Sequence, residues 1–143
     1  MKMDQNPAEG EQVSGLGGME QFGAETMTSV ILHEIGVPTR LKGYQYLREA
    51  ILLSVCDRNV MNAITTVLYP RVAASFDTTP SRVERSIRSA IEAAWNRGDL
   101  KDFLVGCGRT SSNLKSRPSN AELICLIADK LQLQLKAAEA AQF

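Results

Sequence analysis

Histidine and cysteine are scarce in this 143-residue chain, and their scarcity argues against most kinds of active site. His33 is the only histidine, and no motif for nucleophilic catalysis accompanies it. The three cysteines, Cys56, Cys107 and Cys125, are widely spaced and form no Cys-x-x-Cys pair, so neither a zinc site nor a disulfide framework is predicted. We expect free thiols, a structural role for His33, no enzyme activity, no metal ion and no cofactor.

Long apolar runs are also missing. No window approaches the roughly 18 consecutive apolar residues that a membrane-spanning helix requires. Residues 1–18 lack the basic start and apolar stretch of a secretory signal. We therefore expect a cytoplasmic protein with no membrane partner.

No segment shows the alternation of apolar and polar residues that is typical of β-strands, whereas apolar residues recur at steps of three and four along most of the chain. This spacing predicts an all-α fold of about six helices. They are expected at Thr26–Ile35, at about Gly43–Asp57 and Val60–Phe76, between the 77–80 turn and Gly98, at Asp99–Gly106, and at Ser119 to about Ala138.

Two of these helices carry local boundary signals. Pro70 lies inside the third predicted helix and should bend or divide it. At the start of the fourth, Thr79 can cap the free amides with Pro80 at the first helical position, or Ser81 and Glu84 can form a capping box. The sequence does not decide between these two caps.

The first 25 residues differ in composition from the rest. They are rich in Gly, Glu, Gln and Ser and carry one lysine against five acidic residues, a net charge of −4, which leaves +4 for the remaining residues. Such a segment buries too little apolar surface to offset the entropy of ordering. We predict a flexible leader over 1–25, a basic folded domain over 26–138, and a tail over 139–143.

The segment 64–97 has the layout of a helix-turn-helix: a helix, the short 77–80 turn, and a second helix whose buried face leaves its outer face free. Arginine can donate two hydrogen bonds to guanine, which is worth on the order of 1–3 kcal/mol of base discrimination, and serine reaches base edges or phosphate. The outward positions predicted to contact DNA are Arg82, Arg85, Ser86, Arg88 and Ser89. A plain solvated helix face is the alternative reading of the same arginine spacing.

Further basic residues lie in the predicted fifth helix and in the loop after it. Lys101, Arg109, Lys115 and Arg117 could neutralise DNA phosphates, and simple solvation is the alternative. We keep Lys115 and Arg117 as candidate DNA contacts.

Several uncommon strings occur in a recognisable order. They are His33-Glu34-Ile35-Gly36-Val37-Pro38, Lys42-Gly43-Tyr44, Tyr46-Leu47-Arg48-Glu49-Ala50-Ile51, Val67-Leu68-Tyr69-Pro70, Ser81-Arg82-Val83-Glu84-Arg85 with Ile87-Arg88 and Ala90-Ile91-Glu92, Ala94-Trp95, Arg97-Gly98, and Ala128-Asp129-Lys130-Leu131. From about Thr26 to Ala138, the chain resembles the effector domain of the sporulation master response regulator (stage 0 sporulation protein A family) of endospore-forming bacteria.

That resemblance implies a six-helix transcription-factor domain that binds short double-stranded boxes of the TGTCGAA type and activates or represses promoters. It also implies a tandem dimer on DNA, helped by the last helix, and contact of residues 98–113 with the housekeeping sigma factor of RNA polymerase. The residues in the family's DNA-reading helix are Ser81, Arg82, Glu84, Arg85 and Arg88. A glutamate there can accept a hydrogen bond from cytosine.

The chain departs from the family in two places. Cys107 precedes Gly108-Arg109-Thr110 where the family has an aromatic residue before Gly-Tyr-Thr, so we expect an altered sigma contact. The 25 residues before the match leave no room for a phosphorylated receiver domain, so we expect no direct control of this chain by phosphorylation.

The alternative function is a helical protein-interaction module that pairs with a full-length regulator through its last helix. Equal, negligible binding to a box-containing and a scrambled duplex would favour it. Tyr69 and Trp95 could stack on single-stranded bases, but their helical placement favours packing in the core.

Overall fold

The computed structural model describes residues 18–108 and 116–141, which contain six α-helices and no β-strand. The helices are α1 (Gly18–Glu34), α2 (Lys42–Cys56), α3 (Tyr69–Ser75), α4 (Pro80–Arg97), α5 (Asp99–Gly106) and α6 (Asn120–Ala140). The predicted all-α fold of about six helices is confirmed. None of the described helices combines the length and apolar character needed to cross a bilayer.

The first helix begins earlier than its sequence predicts. α1 starts at Gly18 rather than Thr26, so the second part of the predicted leader is helical, and residues 1–17 lie outside the described residues. Ala24 is fully buried, and a Cβ at Gly23 would lie 3.8 Å from the Leu135 side chain of α6. Packing against α6 supplies the burial that composition alone does not reveal.

The chain between α2 and α4 is divided into three short helical segments. A 3-10 segment, Arg58–Asn62, is followed by a π-helical segment, Ile64–Leu68, and then by α3. Pro70 lies in the first turn of α3, where its missing N–H costs no helical hydrogen bond. The predicted third helix is divided, but its backbone breaks at Ala63, whose φ is −144°, rather than at Pro70.

The core is organised around α2, which packs against α1, α4 and α6. Nine of its 15 residues are buried, and each fully buried leucine or isoleucine contributes about 1.5–3 kcal/mol relative to an exposed one. The largest completely buried side chains are Leu32, Ile35, Leu47, Ile51, Leu53, Leu68, Ile87, Ile91, Leu100, Leu104, Leu123 and Ile124. Tyr69 is also buried, as predicted, and no disulfide joins the three half-buried cysteines.

The ends of α4 and α6 are set by caps. The Thr79 hydroxyl accepts a hydrogen bond from the Arg82 N–H at 3.3 Å, and α4 ends at Gly98, whose φ is +92°. Of the two caps that the sequence leaves open, α4 uses Thr79 with Pro80. Ser119 and Glu122 form a complete capping box at the start of α6.

Candidate nucleic-acid interface

A tight turn places α4 after α3 in the manner of a helix-turn-helix. The Phe76 N–H donates to the Ala73 carbonyl at 3.3 Å, and the Thr78 N–H donates to the same carbonyl at 3.0 Å. Asp77 is left-handed, with φ of +53°, a conformation that aspartate tolerates better than most non-glycine residues. Directly after this turn, the Thr79 hydroxyl caps α4 by accepting from the Arg82 N–H.

One face of α4 is locked in the core and the opposite face is exposed. Val83, Ile87, Ala90, Ile91 and Ala94 form the buried face. All seven α4 residues predicted to contact DNA lie outside that face: Ser81, Arg82, Arg85, Arg88 and Ser89 are exposed, and Glu84 and Ser86 are half-buried. The second helix of the predicted motif thus has a free outer surface over its first turns.

The exposed arginines differ in their partners. Arg88 donates from Nη1 to Glu84 Oε2 at 2.8 Å, which is an ion pair of the i, i+4 type. Arg82 and Arg85 are exposed, and among the described residues no hydrogen bond or ion pair is formed by their guanidinium groups. Two guanidinium groups therefore point to solvent while a carboxylate holds the third.

On one side, α4 is positioned by close contact with α2. A Cβ at Gly43 would lie 2.1 Å from the Ser86 carbonyl oxygen and 2.8 Å from the Ala90 Cβ. The two backbones can approach this closely only because Gly43 has no side chain. Sequence reasoning missed this role, although a glycine within the first turn of an amphipathic helix was the available signal.

On the other side, α4 is held by the first residue of α6. The Asn120 side-chain amide donates to the Glu84 carbonyl at 3.1 Å and to the Tyr69 hydroxyl at 3.0 Å. Burial raises the pKa of the Tyr69 hydroxyl above its ordinary value, so this group stays protonated at neutral pH. One amide thus joins α3, α4 and α6, and sequence reasoning did not single it out.

The basic residues in and after α5 are only partly described. Arg117 lies beside α4, with its Nη1 3.7 Å from Glu92 Oε2, whereas Lys115 lies outside the described residues. Lys101 sits over the Trp95 ring, 4.6 Å from its centre, and therefore packs on α4. Arg117 and Arg88 border an open groove of about 650 Å³ between α4 and the start of α6.

The described residues bring no three metal-ligating side chains together, and His33 is exposed at the end of α1. The chemistry available at the α4 surface is hydrogen bonding by arginine, serine and glutamate.

Comparison with known families places most of the folded residues within a family. A family model described as the C-terminal region of the sporulation initiation factor Spo0A matches residues 28–131. This span covers about three quarters of the chain and includes all of α2 to α5.

Proposed function

The chain belongs to the family of the C-terminal domain of the sporulation initiation factor Spo0A, a DNA-binding domain of sporulation transcription factors, and we propose that its α4 enters the major groove and reads a short box of the TGTCGAA type. The observation that carries this proposal is the outer face of α4, where arginine and serine side chains cluster over the first turns. In helix-turn-helix proteins, the N-terminal part of the second helix contacts base edges.

The arginines suit the guanines of such a box. Both strands of TGTCGAA together contain three guanines, and each offers the acceptor pair that arginine recognises. We assign base reading to Arg82, Arg85 and Arg88, with Glu84 directed to a cytosine amino group. Ser81, Ser86 and Ser89 contact bases or phosphate, and Lys115 and Arg117 contact phosphate.

Competition between two duplexes tests base reading. Arg85→Ala should weaken binding to a box-containing duplex by about 1–3 kcal/mol and leave a scrambled duplex nearly unaffected, because a base contact contributes only on its own site. Affinities can be measured by gel shift at one salt concentration. Arg97→Ala is the matched control, since Arg97 lies on the same helix but roughly 18 Å further along its axis.

Two results would contradict this assignment. Equal loss on both duplexes would show that Arg85 contacts only phosphate. Equal, negligible binding of the unmodified chain to both duplexes would reject sequence-specific DNA binding altogether.

We also propose two protein partners. A second copy binds alongside on tandem boxes through α6, where Leu133 is 69% exposed. The housekeeping sigma factor contacts the segment from α5 to residue 113, where Val105 is exposed and residues 109–113 lie outside the described residues.

A specific observation also favours the interaction-module alternative. Leu133 is 69% exposed on α6, the last helix, through which this alternative pairs with the full-length regulator. A chain that binds neither duplex but forms a stable complex with the full-length regulator in sedimentation would support this second function.

A further inference from the structure

The Asn120 amide donates a side-chain hydrogen bond from α6 to the main chain of α4. Asn120 is 8% exposed and both hydrogens of its amide are used, one on the Glu84 carbonyl and one on the Tyr69 hydroxyl. A carbonyl can only accept, so the nitrogen of the Asn120 amide must face Glu84. The orientation of this side chain is therefore fixed by chemistry.

The two contacts that hold α4 act differently. The contact with Gly43 of α2 is steric. It prevents α4 from moving closer to α2 but does not prevent α4 from moving away. The hydrogen bond from Asn120 is attractive. It is made to the carbonyl of Glu84, whereas Gly43 contacts the carbonyl of Ser86, two residues later and on the opposite side of α4. Together they resist rotation of α4 about its own axis.

Small rotations matter at a DNA-reading surface. A rotation of about 10° moves a side-chain tip at the surface of a helix by about 1 Å, whereas favourable hydrogen-bond lengths span only about 0.5 Å. A residue that fixes the rotation of α4 thereby sets whether Arg85 and its neighbours reach base edges together.

We propose that Asn120 is a positioning residue for DNA reading, which fixes the rotation of α4 from the first turn of α6 and so links the last helix to base discrimination. The inference rests on the proposed function of α4. Asn120 touches no base in this scheme, and it acts through the main chain of Glu84 and the hydroxyl of Tyr69.

Asn120→Asp tests the proposal with almost no change in shape. The carboxylate can still accept from the Tyr69 hydroxyl, but it cannot donate to the Glu84 carbonyl. An acidic residue is favoured in the first turn of a helix, so α6 should still form. Ala121→Asp is the matched control, because it adds the same charge at the next, exposed position.

The measurement is the ratio of the affinities for the box-containing and scrambled duplexes. We expect Asn120→Asp to lower this ratio by about 3- to 10-fold, the usual range for one net hydrogen bond. Ala121→Asp should weaken both duplexes alike and leave the ratio within about 2-fold, since added charge acts on phosphates of any sequence.

Two further variants separate positioning from loss of stability. Tyr69→Phe removes only the second bond, and its effect on the ratio should be non-additive with that of Asn120→Asp. Leu32→Val weakens the core on α1, which packs on α2, α5 and α6, and it should lower the unfolding temperature without changing the ratio.

The outcomes are distinguishable. If the unmodified chain discriminates between the duplexes and Asn120→Asp matches Ala121→Asp in its ratio, the positioning role is wrong while the proposed function stands. If Asn120→Asp does not fold, an unchanged ratio in Tyr69→Phe overturns the proposal. If the unmodified chain does not discriminate, the proposed function and this inference fail together.

Discussion

Glu84 contributes to the α4 surface through two separate groups. Its carboxylate accepts from Arg88, and its main-chain carbonyl accepts from Asn120. A change of side chain alters only the first contact, whereas a change at Asn120 alters only the second. The two contacts can therefore be tested independently on one residue.

Removing the Glu84 charge should reduce specificity rather than affinity. Glu84→Gln frees Arg88 from its ion pair and removes a negative charge from the surface proposed to face DNA. We expect the affinity for a scrambled duplex to rise several-fold while the affinity for the box changes less, because electrostatic attraction is independent of sequence. Affinities on the two duplexes over a range of salt concentrations provide the measurement.

Glu92→Gln is the control for this prediction. Glu92 carries the same charge on the same helix, and its carboxylate lies 3.7 Å from Arg117, which we assign to phosphate rather than to bases. The substitution Glu92→Gln should strengthen binding to the box-containing and the scrambled duplex by the same factor. An identical change of ratio in both variants would show that Glu84 acts only as a charge.

For single residues, the sequence predicts the features that depend on one helix alone, such as which side chains face outward. The outward positions of α4 follow from the 3.6-residue period, so the arginines and serines were found without a structure. Tyr69 and Asn120 are separated by 51 residues, and no local period connects them. Their shared hydrogen bond depends on how three helices pack, which a single sequence does not reveal.

Helices in this chain start and stop predictably where a nearby side chain supplies the cap. Thr79 at α4 and Ser119 with Glu122 at α6 satisfy amides of their own helices, so these boundaries could be predicted within one or two residues. The start of α1 depends instead on contact with α6, and the sequence places it eight residues too late. The π-helical segment before α3 had no local signal either.

The approach of α2 to α4 leads to a prediction about stability. In Gly43→Ala the added methyl group would lie 2.1 Å from the Ser86 carbonyl oxygen, so one helix must move. Overpacking of this kind costs about 1–3 kcal/mol, which exceeds the gain of about 1 kcal/mol from replacing glycine by alanine within a helix. Urea unfolding should show a lower free energy of unfolding.

Gly106→Ala provides the comparison, because nothing lies within 4 Å of a Cβ at this last residue of α5. It should leave the free energy of unfolding unchanged or raise it slightly. A Gly43→Ala protein as stable as the unmodified chain would mean that α2 and α4 separate without cost.

At the scale of the whole molecule, α4 is held between α2 and the first turn of α6, while the far end of α6 remains exposed. Lys136 to Ala140 are all exposed, and Leu133 precedes them on the same helix. The two ends of α6 therefore have different roles. Its first turn holds α4, and its last turns carry the proposed contact between copies. Only the packing of the whole chain reveals this arrangement.

The exposed end of α6 can be tested on paired boxes. Leu133→Glu should leave binding to a single box unchanged and reduce cooperative binding to two tandem boxes by about 10-fold, because it places a charge where apolar surface would be buried between copies. Titration of both duplexes by gel shift measures this difference.

Val105→Glu is the matched variant, since Val105 is an exposed apolar residue on α5. It should retain cooperative binding in an assay without RNA polymerase. Unchanged cooperativity in Leu133→Glu would place the contact between copies elsewhere.

The early start of α1 also affects where this domain should be cut. The similarity to the family begins at residue 28, but the folded helix begins at Gly18. A fragment trimmed to the first boundary would lose Gly23 and Ala24 and uncover part of Leu135. The region of shared sequence and the folded first helix therefore begin about three helical turns apart.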